Sequence, residues 1–143
     1  MNPEDCYKRL FGQAKEARKN AYCPYSHFAV GAALLCTDGS IFTGCNIENA
    51  AYSPSNCAER TALFKAVSEG KRTFCAIAIA GGKEDVPGDA PCWPCGVCRQ
   101  VLREFDGGGL IVVTGDGVGG IVFKALRELL PMSFSADDLK GEA

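Results

Sequence analysis

Three cysteines and one glutamate hold the densest chemistry in this sequence. Cys57 and Glu59 stand in the run Asn56-Cys57-Ala58-Glu59-Arg60, and Cys95 and Cys98 in Pro94-Cys95-Gly96-Val97-Cys98. Two cysteines three apart on a helix lie one turn from each other on one face and can grip a single ion. A third sulfur from the start of a second helix leaves one tetrahedral position open. Zinc with three protein ligands and an open fourth position is the catalytic arrangement, because a water placed there is acidified toward neutrality. Helix starts also favour thiolates, through unsatisfied N–H groups and the positive end of the macrodipole. Glu59 lies two residues beyond Cys57, off the face a fourth ligand needs but within reach of such a water, which is the place of a proton shuttle. Arg60 adds a cation that offsets the single net negative charge of three thiolates on Zn²⁺.

The same residues allow other readings. Glu59 fits the third position of a capping box with Asn56 as the cap. A Cys-x-x-Cys alone also serves as a redox pair or as half of a zinc ribbon. A ribbon takes its remaining ligands from a second pair, whereas the sole histidine, His27, precedes the first expected strand. A thioredoxin-like motif leaves Cys57-Ala58-Glu59 unexplained. The run Gly115-Asp116-Gly117-Val118-Gly119-Gly120 satisfies G-x-G-x-x-G, with Asp137 at about the fingerprint distance of 20 residues. No strand is expected after the helix that follows it, so a βαβ unit is incomplete and the glycines read as a turn.

The elements that must position these groups follow from hydrophobic periodicity. Helices are expected over 3–20, 57–69, 95–105 and 124–130, and strands over 28–35, 41–47, 74–80, 110–114 and 121–123. Asn2 caps the first helix and Pro3 suits its first position, Asp38-Gly39 marks a hairpin, and Gly70 and Pro131 stop helices. Strands alternating with helices imply an α/β sandwich whose later strands are parallel, with the opening hairpin making the sheet mixed. The 143 residues suit one domain over 1–143. The acidic start lacks the pattern of a signal peptide, and no apolar run approaches the roughly 20 residues of a membrane span. The nine cysteines are an odd number in a chain too long for a small disulfide scaffold, which places the protein in a reducing cytoplasm. A net charge of −2 offers no basic stripe for a nucleic-acid polymer.

Cys57-Ala58-Glu59-Arg60 followed by Pro94-Cys95-Gly96-Val97-Cys98-Arg99-Gln100 resembles the zinc-dependent cytidine deaminases, in the small class with three Cys ligands. The resemblance extends to Tyr25-Ser26-His27-Phe28-Ala29-Val30-Gly31, to Asn46-Ile47-Glu48-Asn49-Ala50 and to Leu129-Leu130-Pro131-Met132-Ser133-Phe134. It implies a three-layer α-β-α sandwich with a mixed five-stranded sheet. It also implies Zn²⁺ on Cys57, Cys95 and Cys98, with Arg60 bonded to the ligand thiolates. Glu59 would move a proton from the attacking water to N3 of cytosine and later to the departing ammonia. Asn46 and Glu48 would bond the ribose, Phe28 would pack on the base and the Ala58 carbonyl would accept from the amino group. Tyr52 is a candidate pocket wall. Family members of this length are homotetramers with active sites at subunit interfaces, to which Phe134 would contribute from a neighbour. The implied activity is deamination of cytidine and 2′-deoxycytidine in pyrimidine salvage. Its rivals are a blasticidin S-type nucleoside deaminase and a structural zinc module without catalysis.

Asn46 and Glu48 support the ribose reading independently, since residues two apart on an extended chain point to one face. Two segments depart from the family pattern: Cys92-Trp93 where a small residue usually precedes the proline, and Ser53-Pro54-Ser55-Asn56. Both flank the expected metal.

Overall fold

Residues 2–140 are described by a computed structural model, so the outer limits of a 1–143 domain lie outside the described residues. Helix α1 spans Pro3–Ala17, where the Asn2 side chain accepts from Asp5 N at 2.9 Å and Glu4 and Asp5 face the positive end of the dipole. The expected helix to residue 20 instead tightens into a 3₁₀ turn, Arg18–Asn20. That turn brings Arg18 inward, to 8% exposure, where its guanidinium donates to the carbonyls of Ala29, Gly82, Lys83 and Val86 at 2.7 to 3.0 Å.

Strands β1 (Phe28–Cys36) and β2 (Ile41–Cys45) form the expected hairpin. Helix α2 (Ala58–Ser68), strand β3 (Phe74–Lys83), helix α3 (Gly96–Arg103) and strands β4 (Ile111–Gly115) and β5 (Ile121–Ala125) follow, then the short helices α4 (Leu126–Leu129) and α5 (Ala136–Leu139). Sheet order is β2-β1-β3-β4-β5, with β3 and β4 parallel and the other pairs antiparallel. Parallel pairing is thus confined to one pair. The cause is the glycine run after β4, a turn and not a nucleotide loop: Gly117 and Gly119 take positive φ, and the Asp116 carboxylate accepts from Val118 N and Gly120 N. The chain therefore doubles back, and residues 124 and 125, expected in a helix, belong to β5. β3 continues past residue 80 because Gly81, Gly82 and Lys83 find partners in Val30, Ala29 and Phe28. α5 has its own cap, Ser135, whose hydroxyl accepts from Asp137 N.

Three layers result, as expected. Alternation along β3 puts Ala76, Ala78 and Ala80 toward α1, where Leu10, Phe11 and Ala14 pack, and Ile77 and Ile79 toward α2 and α3. Leu34, Leu63, Ile77 and Ile79 are wholly buried, each worth about 1.5–3 kcal/mol. Gly44 on β2 lets α2 sit directly on the sheet, since a β-carbon there would stand 2.5 Å from Ala62 N and 2.8 Å from Ala58 O. That close approach fixes where α2 begins.

Candidate active site

Cys57 is the N-cap residue of α2 and Cys95 that of α3, with Cys98 in the first turn of α3. The three sulfurs lie within 4.8 Å of one another, and Cys57 Sγ is 3.9 Å from Cys95 Sγ. Two sulfurs each about 2.3 Å from one zinc ion at the tetrahedral angle stand about 3.8 Å apart. The donor set and spacing therefore fit zinc, and no other group of three or more potential ligands occurs among the described residues. Cys95 Sγ accepts from Cys98 N at 3.5 Å, and Arg60 Nη2 donates to Cys57 Sγ at 3.3 Å. In the metal-free cluster the Cys98 thiol and Arg60 hold Cys57 down to about 5, while donation to Cys57 and burial push Cys98 up. Arg60 Nε is buried without a partner among the described residues, a spare donor beside the sulfurs.

Glu59 is 4% exposed, and burial raises its carboxyl from 4.5 to about 7. The capping-box reading fails on geometry. Asn56 N donates to Ile47 O, its side chain donates to Thr61 Oγ1 at 3.1 Å, and Cys57 takes the cap position, so Glu59 is not spent on the helix end.

Glu59, Cys57 and Cys95 line a cavity of about 330 Å³. Asn46 and Glu48 line it too, already held in place. Asn46 Oδ1 accepts from Val30 N at 2.9 Å and its Nδ2 donates to Phe28 O at 2.8 Å. The Glu48 carboxylate accepts from Tyr25 N, Ser26 N and Ser26 Oγ, and the Ser26 hydroxyl holds it below the usual carboxylate range. Ala58 and Arg60 complete the expected residues in this lining.

Other expected residues lie elsewhere in the single chain. Cys98 is wholly buried behind the cavity. Phe28, 39% exposed, opens β1 beside the lining but outside it. Tyr52 has a left-handed backbone (φ 64°), meets Tyr25 edge to face at 6.2 Å, and borders an adjoining recess of about 310 Å³ that shares Glu48 and Ser55 with the first. Phe134 is 59% exposed, and its carbonyl accepts from Gln100 Nε2 at 2.9 Å. Val30, Ser55, Asn56, Cys92 and Trp93 line the cavity without having been assigned a role there; the sequence signal for the last two was only their departure from the family pattern. Cys92 also makes a Cys-x-x-Cys with Cys95, yet it stays out of the cluster: its N donates to Thr114 Oγ1, and burial pushes its thiol up to about 11. A larger groove, about 650 Å³ between Arg103 and Asp137, holds none of the cysteines.

Residues 4–114 match the family model described as "Cytidine and deoxycytidylate deaminase zinc-binding region". The chain belongs to this family. It is 51% identical over 136 residues to a cytidine deaminase of Sporosarcina psychrophila, covering 95% of this chain and 96% of that protein. It is 43% identical to a probable cytidine deaminase of Dictyostelium discoideum, over 100% and 92% of the two chains. The crystal structure of cytidine deaminase from Burkholderia pseudomallei superposes with a TM-score of 0.79 at 47% identity, over 88% of this chain and 97% of that one. Membership in a zinc-binding family and the sulfur geometry together make zinc the cofactor. No helix among the described residues is long and apolar enough to cross a membrane.

Proposed function

We infer that this chain hydrolyses cytidine and 2′-deoxycytidine to uridine and 2′-deoxyuridine plus ammonia. The observation that carries this reading is a buried carboxyl, Glu59, set beside a three-sulfur cluster on the wall of one small cavity. A volume of about 330 Å³ falls at the lower end of the roughly 300–1,000 Å³ of small-molecule sites.

Cys57, Cys95 and Cys98 hold the zinc, which supplies Lewis acidity and lowers the pKa of a water toward neutrality. Glu59 would accept a proton from the attacking water and deliver it to N3 of the base. Glu59 would then take the second proton from the new C4 hydroxyl and pass it to the amine as the C4–N bond breaks and the C4 carbonyl forms, so one water enters and one ammonia leaves. Ala58 offers its carbonyl to the exocyclic amino group, and Phe28 packs on the base. Asn46 keeps one N–H and one oxygen lone pair free after its two backbone bonds, and Glu48 keeps acceptor capacity after its three, which suits a sugar hydroxyl. Arg60 is the only lysine or arginine in the cavity lining, and it donates to Cys57. A substrate phosphate would find there only a guanidinium already committed to the cluster sulfur, and would meet Glu48. The cavity therefore favours nucleosides over deoxycytidylate. The polar pair also disfavours a blasticidin S-type substrate, and a buried Glu59 free of capping work disfavours a purely structural zinc module.

The exposed Phe134 supports a homotetramer in which it reaches a neighbour's site, while Tyr52 walls the recess beside the cavity. Nine unpaired thiols support a cytoplasmic location, and the reaction belongs in pyrimidine salvage. We take 1–143 as a single domain. The test is an absorbance assay of zinc-loaded protein with cytidine, 2′-deoxycytidine and deoxycytidylate. Turnover of the two nucleosides alone is expected, and a protein inert toward cytidine overturns the reading. A stable, fully active monomer in light scattering removes Phe134 from the site.

A further inference from the structure

Cys92 and Trp93 depart from the family pattern, and the backbone behind Cys92 shows what the cysteine does. A β-carbon on Gly81 of β3 would stand 2.5 Å from Cys92 Sγ, 3.2 Å from Val30 Cγ2 and 3.3 Å from Phe28 Cε1. Cys92 and Val30 line the cavity, and Phe28 abuts it. The wall therefore lies back into the space that glycine leaves open. Non-bonded carbon and sulfur atoms pack at roughly 3.5–4.0 Å, so a methyl at position 81 must displace the thiol by about 1 Å or more. Cys92 cannot retreat as a whole, because its N–H is held at 2.9 Å by Thr114 Oγ1, which is itself wholly buried and donates to Ile79 O at 2.8 Å. Val30, paired with Gly81 on the neighbouring strand, and Phe28 close two sides. The side left open is the cavity.

We propose that Gly81 and Cys92 act as one size determinant: the missing side chain on β3 seats the Cys92 thiol, and this sets how much room the cavity gives the nucleoside. It rests on the deaminase reading. Trimming space from the site weakens binding of the substrate and of the transition state alike, which raises KM and leaves kcat in place. Gly81 sits in extended, paired backbone with no positive φ, so alanine there is unstrained and meets the thiol first, at 2.5 Å, ahead of Val30 Cγ2 and Phe28 Cε1 at 3.2 and 3.3 Å.

The experiment compares Gly81→Ala, Cys92→Ala, the double variant and Gly82→Ala, each loaded with zinc and assayed on cytidine. Gly81→Ala is expected to raise KM about tenfold, the lower end of the effect of one methylene in a fitted pocket, with kcat within about twofold. In the double variant the KM returns to that of Cys92→Ala, because the displaced atom is gone. Gly82→Ala is the control for general damage: its β-carbon meets Val86 Cγ2 at 2.8 Å and points away from the cavity, so stability falls and KM holds. An unshifted KM in Gly81→Ala, a rise that persists without the Cys92 thiol, or an equal rise in Gly82→Ala overturns the proposal. If Gly81→Ala does not fold, Cys92→Leu replaces it, with the same expected rise in KM and an unshifted value overturning the proposal. Unmodified protein without cytidine turnover instead ends the deaminase reading, and the two failures are distinct.

Discussion

Glu59→Gln separates the chemistry of the site from its construction. The substitution keeps size and shape at a residue only 4% exposed while removing the ionisable proton. A positioned general acid and base contributes about 10²- to 10⁴-fold, or about 3–5 kcal/mol of barrier, so turnover of cytidine should fall by at least that factor with zinc retained. Stability should move the other way. In the metal-free protein, burial lifts the Glu59 carboxyl from 4.5 to about 7, which corresponds to about 3 kcal/mol against the ionised form. A carboxyl raised on folding stabilises the fold only while protonated: the contribution is intact below pH 4.5 and is lost as pH climbs through 7. Glutamine carries no such penalty. Chelator-treated Glu59→Gln should therefore gain on the unmodified protein by up to about 3 kcal/mol between pH 5 and pH 8, read as a widening gap in urea midpoints. Loss of zinc from the variant, or urea midpoints that run parallel across that range, would refute the reasoning.

Two further outcomes concern how the site is held and charged. Thr114→Val removes the buried hydroxyl that accepts from Cys92 N and should cost about 1–3 kcal/mol in urea denaturation, while Thr114→Ser should recover most of it; a smaller loss in Thr114→Val than in Thr114→Ser would show that the methyl matters and not the hydroxyl. Asp38 is exposed, and the Lys71 ammonium and the Ser40 hydroxyl hold its carboxyl well below the usual range. A carboxyl lowered on folding contributes above its unfolded value, near 3.8, and stops contributing as pH falls through the lower folded one. Asp38→Asn should accordingly lose less stability than the unmodified protein on acidification from pH 5 to pH 2, followed by circular dichroism, and identical acid transitions would contradict that assignment.

Sequence spacing made the metal cluster legible because its members depend on local structure: both helix starts were marked by Pro, Asn and Cys, and caps are local. Cys92 stands at the same spacing before Cys95 as Cys98 does after it, and only the second pair was read as metal-binding. The difference is made at long range, by Thr114, whose hydroxyl accepts from Cys92 N at 2.9 Å. β3 read as ending at residue 80 because glycines weaken a strand, yet pairing with β1 carries it to Lys83. Arg18 read as a basic helix end. Its burial among four carbonyls depends on residues 11 to 68 positions away, which no periodicity reports. Asn46 and Glu48 were placed together by simple alternation, and the cavity they share follows from where β2 ends beneath α2. Tyr52 and Phe134 lie outside that cavity in a single chain, Tyr52 in the adjoining recess, and the expected role of Phe134 requires a neighbour.

Titrating zinc into chelator-treated protein while following cytidine absorbance tests the central claim most directly. Deamination should rise in proportion to added metal and level off at one zinc per chain. A protein that takes up one zinc on its three thiols and still leaves cytidine unchanged would contradict the account.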